Sequence, residues 1–124
     1  MMVSFEIGIL PNRPFRECVD LCVAAEKLGF GGVWVADSQS VMRDAYALLS
    51  VVGAKTDRIR IASGITNART RHLAVLAASW ATLDELSGGR AVMGIRCARV
   101  RSAMSVSSPT GWPIWKPRST SSAY

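Results

Sequence analysis

The chain has 124 residues, of which 49% are hydrophobic, and it carries a formal net charge of +6. This length suits one domain, and this apolar content excludes a chain that is disordered throughout. No apolar run approaches the roughly 18 residues of a membrane span, and the first ten residues, MMVSFEIGIL, lack the parts of a secretory signal. We therefore expect a cytoplasmic protein with no membrane partner.

The chain begins with a predicted strand and an amphipathic helix. Apolar residues alternate in VSFEIGIL, which is typical of a β-strand. Pro14 then fits the first turn of a helix, where its missing N–H is not needed. The helix FRECVDLCVAAEKL carries one apolar stripe, and Gly29 follows as a stop signal. The stripe comprises Phe15, Cys18, Val19, Cys22 and Ala25.

Two further strand–helix units and a fourth strand follow. GGVWVAD is a short apolar strand, and Asp44 is placed to cap the second helix, AYALLSVVGAK. RIRIASGI, in which Ile59 and Ile61 alternate with arginine, predicts the third strand. HLAVLAASWATLDEL predicts the third helix, SGG ends it, and RAVMGI reads as the fourth strand.

This alternation predicts a parallel sheet with helical crossovers. Two architectures remain open: a doubly wound sheet, and a barrel of eight strand–helix units, which typically needs about 250 residues. In a barrel, the chain would supply the first three units and a fourth strand. ILPNRP follows the first strand where a dinucleotide-binding domain has a glycine-rich loop, and this weakens the dinucleotide-binding reading.

Charge, cysteine and histidine restrict the partners. Residues 1–95 contain 10 Lys and Arg against 9 Asp and Glu, whereas residues 96–124 contain 5 Lys and Arg and no acid. The excess of positive charge thus belongs to the last residues, and we expect no nucleic-acid partner. The spacing of Cys18 and Cys22 is not that of a zinc or redox pair, so these two and Cys97 are interpreted as reduced thiols. With His72 as the single histidine, no metal site is predicted.

One long segment carries a family resemblance. SGITNARTRHLAVLAASWATLDELSGGRAVMGI resembles the luciferase-like monooxygenase superfamily, and within it the coenzyme F420-dependent reductases of the methylenetetrahydromethanopterin reductase type. LGFGGVWVADS is similar to the second strand of that family, and the likeness covers residues 3–95. The matching residues of the long segment are Gly64, Ile65, Thr66, Asn67, Thr70, Arg71 and His72, followed by residues 81–90 throughout.

The resemblance implies a TIM barrel that binds coenzyme F420, or alternatively FMN, at the carboxyl ends of its strands. The cofactor then carries the hydride transfer or monooxygenation, with a small molecule as substrate. The resemblance further implies a non-proline cis peptide at Gly64–Ile65 that backs the cofactor ring. Cofactor-binding residues implied in this way are Asp37, Gly64, Ile65, Thr66 and Asn67, and no catalytic residue is assigned.

Each of these residues also has a purely structural interpretation. Gly64 can end a strand before a turn, and Asp37 can cap the loop that follows it. Thr66 and Asn67 can cap the loop before the third helix instead of donating to cofactor oxygens. His72 is expected to order this loop and not to act as a base.

The sequence departs from the family at two places. Ala68 and Leu73 replace two prolines, and Arg96-Cys97-Ala98 stands where the family has a Gly-x-Gly-Asp type of turn. Residues 96–124 have no period of 2 or 3.6. Codons allowed for residues 102–123 can also be read in a shifted frame as a family-like loop and acidic helix.

We therefore predict a family domain over residues 1–95 and a non-native or disordered basic tail over 96–124, produced by a frameshift. Such a chain is expected to be inactive and to self-associate through exposed barrel edges. The alternative is a small stand-alone α/β binding domain with a basic disordered tail.

Overall fold

The structure is a computed structural model, and it describes residues 3–96. Strands and helices alternate along this part of the chain as the sequence predicts. They are β1 (Glu6–Ile9), α1 (Phe15–Lys27), β2 (Gly32–Val35), α2 (Ala45–Lys55), β3 (Arg60–Ser63), α3 (Leu73–Ser87) and β4 (Ala91–Val92). The predictions for Cys97 and for the tail after residue 96 lie outside the described residues.

The strands form one parallel sheet in the order β1-β2-β3-β4. In register, Ile7 lies beside Val33 and Val33 beside Ile61, so these side chains share one face. That face packs against all three helices in a common core. A doubly wound sheet reverses its strand order and has helices on both faces, so this alternative does not describe residues 3–96. Sequential order with helices on one face is that of consecutive units of a (β/α)8 barrel.

The apolar stripe of α1 is buried as predicted. Cys18, Val19, Cys22 and Ala25 are at most 4% exposed, and Phe15 packs at the border of the core. Cys18 and Cys22 are free thiols. Burial, and to a smaller extent the neighbouring Cys18, raises the pKa of the Cys22 thiol to about 12, so it stays protonated and unreactive at neutral pH.

The helix ends agree with the sequence signals, with one shift. Asp44 caps α2, since its Oδ1 accepts a hydrogen bond from the backbone N–H of Ala47 at 2.8 Å. Gly88 ends α3 with a φ of 68°, in the left-handed region that glycine adopts most easily. Pro14 precedes α1 as its N-cap residue instead of lying within the first turn. The fourth strand is shorter than RAVMGI predicts, because regular pairing covers only Ala91 and Val92.

At the amino end of the sheet, the Arg90 side chain binds backbone carbonyls at the end of α2, in the connection to β3 and at the end of α3. The Nε of Arg90 donates to the carbonyl of Ser87 at 2.6 Å, and its Nη1 donates to that of Ile59 at 2.7 Å. Its Nη2 donates to the carbonyls of Gly53 at 2.9 Å and Thr56 at 2.7 Å. These acceptors include carbonyls at the carboxyl end of α2, where a positive charge is favoured.

At the same amino end of the sheet, the Glu26 side chain of α1 binds the turn that precedes β3. The carboxylate of Glu26 accepts hydrogen bonds from the backbone N–H groups of Asp57, Arg58 and Ile59, the shortest being 2.7 Å. Partial burial opposes ionisation of Glu26, but the N–H donors of Ile59, Arg58 and Asp57 outweigh it and lower the pKa of this carboxyl. The turn before β3 is therefore fixed by an ionised side chain of another element.

The second face of the sheet carries no helix among residues 3–96. On it, the Glu6 carboxylate of β1 pairs with the Arg60 guanidinium of β3 and accepts a hydrogen bond from the Trp34 indole of β2. Gly32 lies between Glu6 and Arg60 in register, and a Cβ there would come within 3.2 Å of the Glu6 carboxyl group. A glycine in the middle strand thus lets the two charged side chains meet across it.

None of the helices in residues 3–96 is long and apolar enough to cross a membrane.

Candidate functional site

The residues that follow β2, β3 and β4 meet at the carboxyl edge of the sheet. Asp37 comes two residues after β2, and the segment from Gly64 to Asn67 follows β3 directly. The Thr66 N–H donates to the Gly94 carbonyl at 2.8 Å, so the segment after β4 lies alongside. Parallel strands deliver their carboxyl ends to one edge, and this edge is where barrel enzymes build their sites. Four of the five predicted cofactor-binding residues therefore form one short segment beside the fifth.

Asp37 and Thr66 are in direct contact. The Thr66 hydroxyl donates to Oδ2 of Asp37 at 2.7 Å, and Gln39 Nε2 donates to Oδ1 at 2.6 Å. Asp37 is half-buried, whereas Thr66 is only 1% exposed. The bond to Gln39 is the local contact expected of a loop cap, and the bond to Thr66 joins the segments that follow β2 and β3. The Thr66 proton is thus used inside the protein.

Two buried aromatic residues extend this contact into the core. The Tyr46 hydroxyl lies 2.7 Å from Oγ1 of Thr66, and the Trp80 indole N–H donates to the Tyr46 oxygen at 3.2 Å. The rings of Tyr46 and Trp80 meet edge to face, with their centroids 5.9 Å apart. The Arg71 guanidinium carbon lies 3.9 Å from the centroid of the Tyr46 ring, and this arginine also pairs with Asp44. Contacts from α3 and from the loop that precedes it thus fix the Tyr46 ring of α2.

Gly64 and Ile65 are joined by a cis peptide bond, as the family resemblance implied. A Cβ on Gly64 would lie 3.0 Å from the Cβ of Trp34 and 3.6 Å from its ring. The close approach that requires glycine here is therefore made by a side chain of β2. Ile65 remains 42% exposed at the edge of the site.

Gly94 belongs to the same cluster and was not singled out from the sequence. A Cβ there would lie 2.4 Å from the Ser63 carbonyl oxygen and 2.8 Å from Cγ2 of Ile65. The buried Ser63 hydroxyl donates to the Gly94 carbonyl at 2.9 Å and accepts from its N–H at 3.1 Å. Only a residue without a side chain fits this position unless its neighbours move.

Asn67 and His72 order the loop before α3. Oδ1 of Asn67 accepts from the Arg69 N–H at 2.8 Å, and Nδ1 of His72 accepts from the Ala74 N–H at 3.2 Å. The contact of His72 is that of a helix cap, as expected from the sequence. Within residues 3–96, no group of three His, Cys, Asp or Glu side chains could hold a metal ion.

Tyr46, Trp80 and Trp34 are the site residues that the sequence patterns missed. Tyr46 and Trp80 stand in apolar helical runs, where an aromatic residue is expected to be core. Their polar atoms gave a signal that could have been used, because a buried hydroxyl or indole N–H needs a partner. Which partner it finds depends on the packing of α2 against α3 and β3.

The chain is similar to known proteins in both sequence and structure. The chain is 37% identical over 93 residues to the 5,10-methylenetetrahydromethanopterin reductase of Methanolobus tindarius. This alignment covers 75% of this chain and 28% of that protein. It also resembles the solved coenzyme F420-dependent tetrahydromethanopterin reductase of Methanopyrus kandleri, with a TM-score of 0.71 and 36% identity. That match covers 77% of this chain and 27% of the reductase.

A more distant likeness supports the fold alone. The oxygenating constituent of 3,6-diketocamphane monooxygenase of Pseudomonas putida, solved in complex with FMN, matches with a TM-score of 0.65 and 21% identity, covering 78% of this chain and 30% of that one. The chain thus spans less than a third of the length of the proteins named here. These neighbours are luciferase-like TIM-barrel proteins, which agrees with the one-sided helices and sequential strands described above.

The family model for luciferase-like monooxygenases matches residues 2–98, which is most of the chain and includes all of the described sheet. This match contains both Asp37 and the segment from Gly64 to Asn67. The chain therefore belongs to the luciferase-like monooxygenase family of flavin- and coenzyme F420-dependent oxidoreductases.

Proposed function

We propose that the carboxyl edge of this sheet is part of a binding site for coenzyme F420, with FMN as the alternative. The proposal assigns the site to Asp37 and to the segment Gly64, Ile65, Thr66 and Asn67, in which Thr66 and Asn67 act by holding Asp37 and the loop. The observation that carries it is the half-buried Asp37 carboxylate, which Thr66 holds at the edge where β2 and β3 end. The solved reductase of Methanopyrus kandleri, which is named as coenzyme F420-dependent, supports the choice of cofactor.

The residues present fit a flat heterocycle that carries both apolar surface and polar groups. The Ile65 side chain, which is 42% exposed, offers apolar surface at this edge. Asp37 offers a hydrogen-bond acceptor. Ligand sites of this kind are mostly apolar with a few fixed polar groups.

In this proposal the protein binds and orients, and the coenzyme supplies the acceptor or donor for a hydride. Asp37 would accept a hydrogen bond from the bound coenzyme, and Thr66 holds Asp37. Asn67 acts through the loop that it orders, because its Oδ1 accepts from the Arg69 N–H. The substrate in a complete enzyme is a small molecule.

Titration of the 124-residue chain with coenzyme F420 and with FMN, followed by the fluorescence of each compound, tests the proposal. We expect saturable binding of at least one of them, weakened about tenfold or more by Asp37→Asn, because the amide presents a donor where the ligand needs an acceptor. Asp20→Asn, on the exposed face of α1, is the matched control and should not change the affinity. Absence of binding to either compound, or equal binding by both variants, would contradict the assignment.

We further propose that the chain does not catalyse turnover and pairs with copies of itself. Within residues 3–96, the face that carries Glu6, Trp34 and Arg60 has no covering helix, and β1 and β4 each have one edge without a partner strand. Unpaired strand edges favour association between chains. Sedimentation of the purified chain should reveal species larger than a monomer, and a monomer with turnover would contradict both statements.

The frameshift remains a prediction about residues 96–124. If one base is restored near codon 96, we expect an open frame that continues for roughly another half-barrel. Reading the gene in all three frames past codon 95 tests this. Early stop codons in both alternative frames would contradict it. A cytoplasmic location likewise stays a prediction.

A further inference from the structure

The hydrogen bonds that join Trp80, Tyr46, Thr66 and Asp37 can run in only one direction. An indole N–H is a donor only, and an ionised carboxylate is an acceptor only. The single proton of Thr66 goes to Asp37, so the Tyr46 hydroxyl must donate to Thr66 and must accept from the Trp80 indole. Each group then has the partner that its chemistry requires. We call this directed chain the indole–carboxylate relay.

Burial gives the relay its rigidity. Tyr46, Thr66 and Trp80 are 6%, 1% and 7% exposed, so water is not available to replace a lost partner. A buried donor left without an acceptor keeps the full cost of its lost hydration. The Tyr46 ring is held between the Trp80 ring and the Arg71 guanidinium, which keeps its hydroxyl aimed at Thr66. The relay therefore has one low-energy arrangement.

The relay ends on a carboxylate with unused capacity. An ionised carboxylate has about four acceptor positions. Thr66 occupies one on Oδ2 of Asp37, and Gln39 occupies one on Oδ1. The described part of the chain supplies Asp37 with no other partner, and Asp37 is the only member of the relay that is half-exposed. A ligand that contacts it must bring an N–H or O–H donor.

We propose that Tyr46 and Trp80 are positioning residues for this site: through Thr66 they fix the Asp37 carboxylate so that its free acceptor positions receive an N–H or O–H group of the ligand. The identity of the ligand rests on the proposed function, whereas the relay does not. Neither aromatic residue touches the ligand, so their effect passes entirely through Asp37. The two ends of the relay must therefore respond to each other even without a ligand.

The first experiment tests the relay in the free chain. The Trp80 indole N–H signal is identified by nuclear magnetic resonance from its loss in Trp80→Phe. Asp37→Ala should shift this signal, because Thr66 loses its acceptor and the hydroxyl protons of the relay rearrange. Asp20→Ala should leave it in place. An indole signal that does not respond to Asp37→Ala would overturn the relay.

The second experiment tests its role in binding, with coenzyme F420 or FMN as the probe. Tyr46→Phe keeps the ring and removes the hydroxyl, and we expect about fivefold to tenfold weaker binding. Ser50→Ala is the matched control, since the Ser50 hydroxyl bonds only the Tyr46 carbonyl one turn earlier. In the Asp37→Ala background, Tyr46→Phe should have no further effect. An equal loss with and without Asp37 would show that Tyr46 acts by another route.

The two proposals fail separately. If the wild-type chain binds neither compound, the proposed function is wrong, and the magnetic resonance experiment alone decides whether the relay exists. If binding occurs but Tyr46→Phe behaves like Ser50→Ala, the proposed function stands and the positioning role is wrong.

Discussion

The two ends of the sheet use charged side chains in opposite ways. At the amino end, the side chains of Arg90 and Glu26 form hydrogen bonds mainly with backbone groups of this chain. At the carboxyl end, the Asp37 carboxylate receives two side-chain donors and keeps acceptor positions free. Charge at the first end thus closes loops, whereas charge at the second end leaves acceptor positions that the proposed site would use. In barrels, stability and binding usually reside at different ends of the sheet.

Among the substitutions that test this difference between the two ends, we expect the largest loss of stability at Arg90. We expect Arg90→Ala to lower the free energy of unfolding by about 3–5 kcal/mol, because it removes several charge-assisted hydrogen bonds at once and leaves the carbonyls of Gly53, Thr56 and Ile59 without this donor. Urea denaturation followed by circular dichroism measures the loss. Arg16→Ala, on the exposed face of α1, is the control. A loss below 1 kcal/mol would mean that water replaces the guanidinium at this end.

A smaller effect is expected at the carboxyl end, at Gly94. A Cβ there would overlap the Ser63 carbonyl, so we expect Gly94→Ala to cost about 2 kcal/mol through displacement of the segment after β4. Gly8→Ala is the control, because a Cβ at Gly8 has no atom within 4 Å. Thermal unfolding of the two variants measures the difference. Equal melting temperatures would show that this segment moves aside without cost.

Glu26 should give an effect that depends on pH. Its pKa is lower in the folded chain than the ordinary value of 4.5, so its stabilisation is present above that value and is lost as the pH falls through the folded pKa. We expect Glu26→Gln to cost about 1 kcal/mol at pH 7, as for the loss of a helix cap, and to cost progressively less as the pH falls below 4.5. Urea midpoints measured at pH 7 and at a series of lower pH values test this. Glu85→Gln, exposed on α3, should show no such dependence, and a pH-independent cost at Glu26 would contradict the assignment.

The smallest effect on stability is expected at Asp37. Asp37→Asn keeps an oxygen that can accept from Thr66, so we expect the free energy of unfolding to change by less than about 0.5 kcal/mol. The same substitution is expected to weaken ligand binding strongly, which would separate the two ends cleanly. Urea denaturation beside the ligand titration measures both quantities. A loss above 2 kcal/mol would place Asp37 among the residues that hold the fold.

The amino-acid sequence by itself determined the elements and the family. Periodicity of apolar residues placed the ends of the helices within one residue and those of the strands within three, because burial on one face imposes that period. Signals such as Asp44 and Gly88 act on neighbouring backbone, so they could be recognised locally. The motif after β3 carried the family resemblance, which the match over residues 2–98 confirms.

Only the tertiary structure chose between a barrel and a doubly wound sheet, since the same alternation of elements is compatible with both and strand order is a property of long-range pairing. It also decided what Tyr46 and Trp80 do. Their sequence context predicts core residues, and both are buried in the core. Their polar atoms, however, form hydrogen bonds with residues far along the chain: Tyr46 with Thr66, 20 residues away, and Trp80 with Tyr46, 34 residues away. A hydrogen bond depends on distance and direction between elements, and hydrophobic periodicity specifies neither.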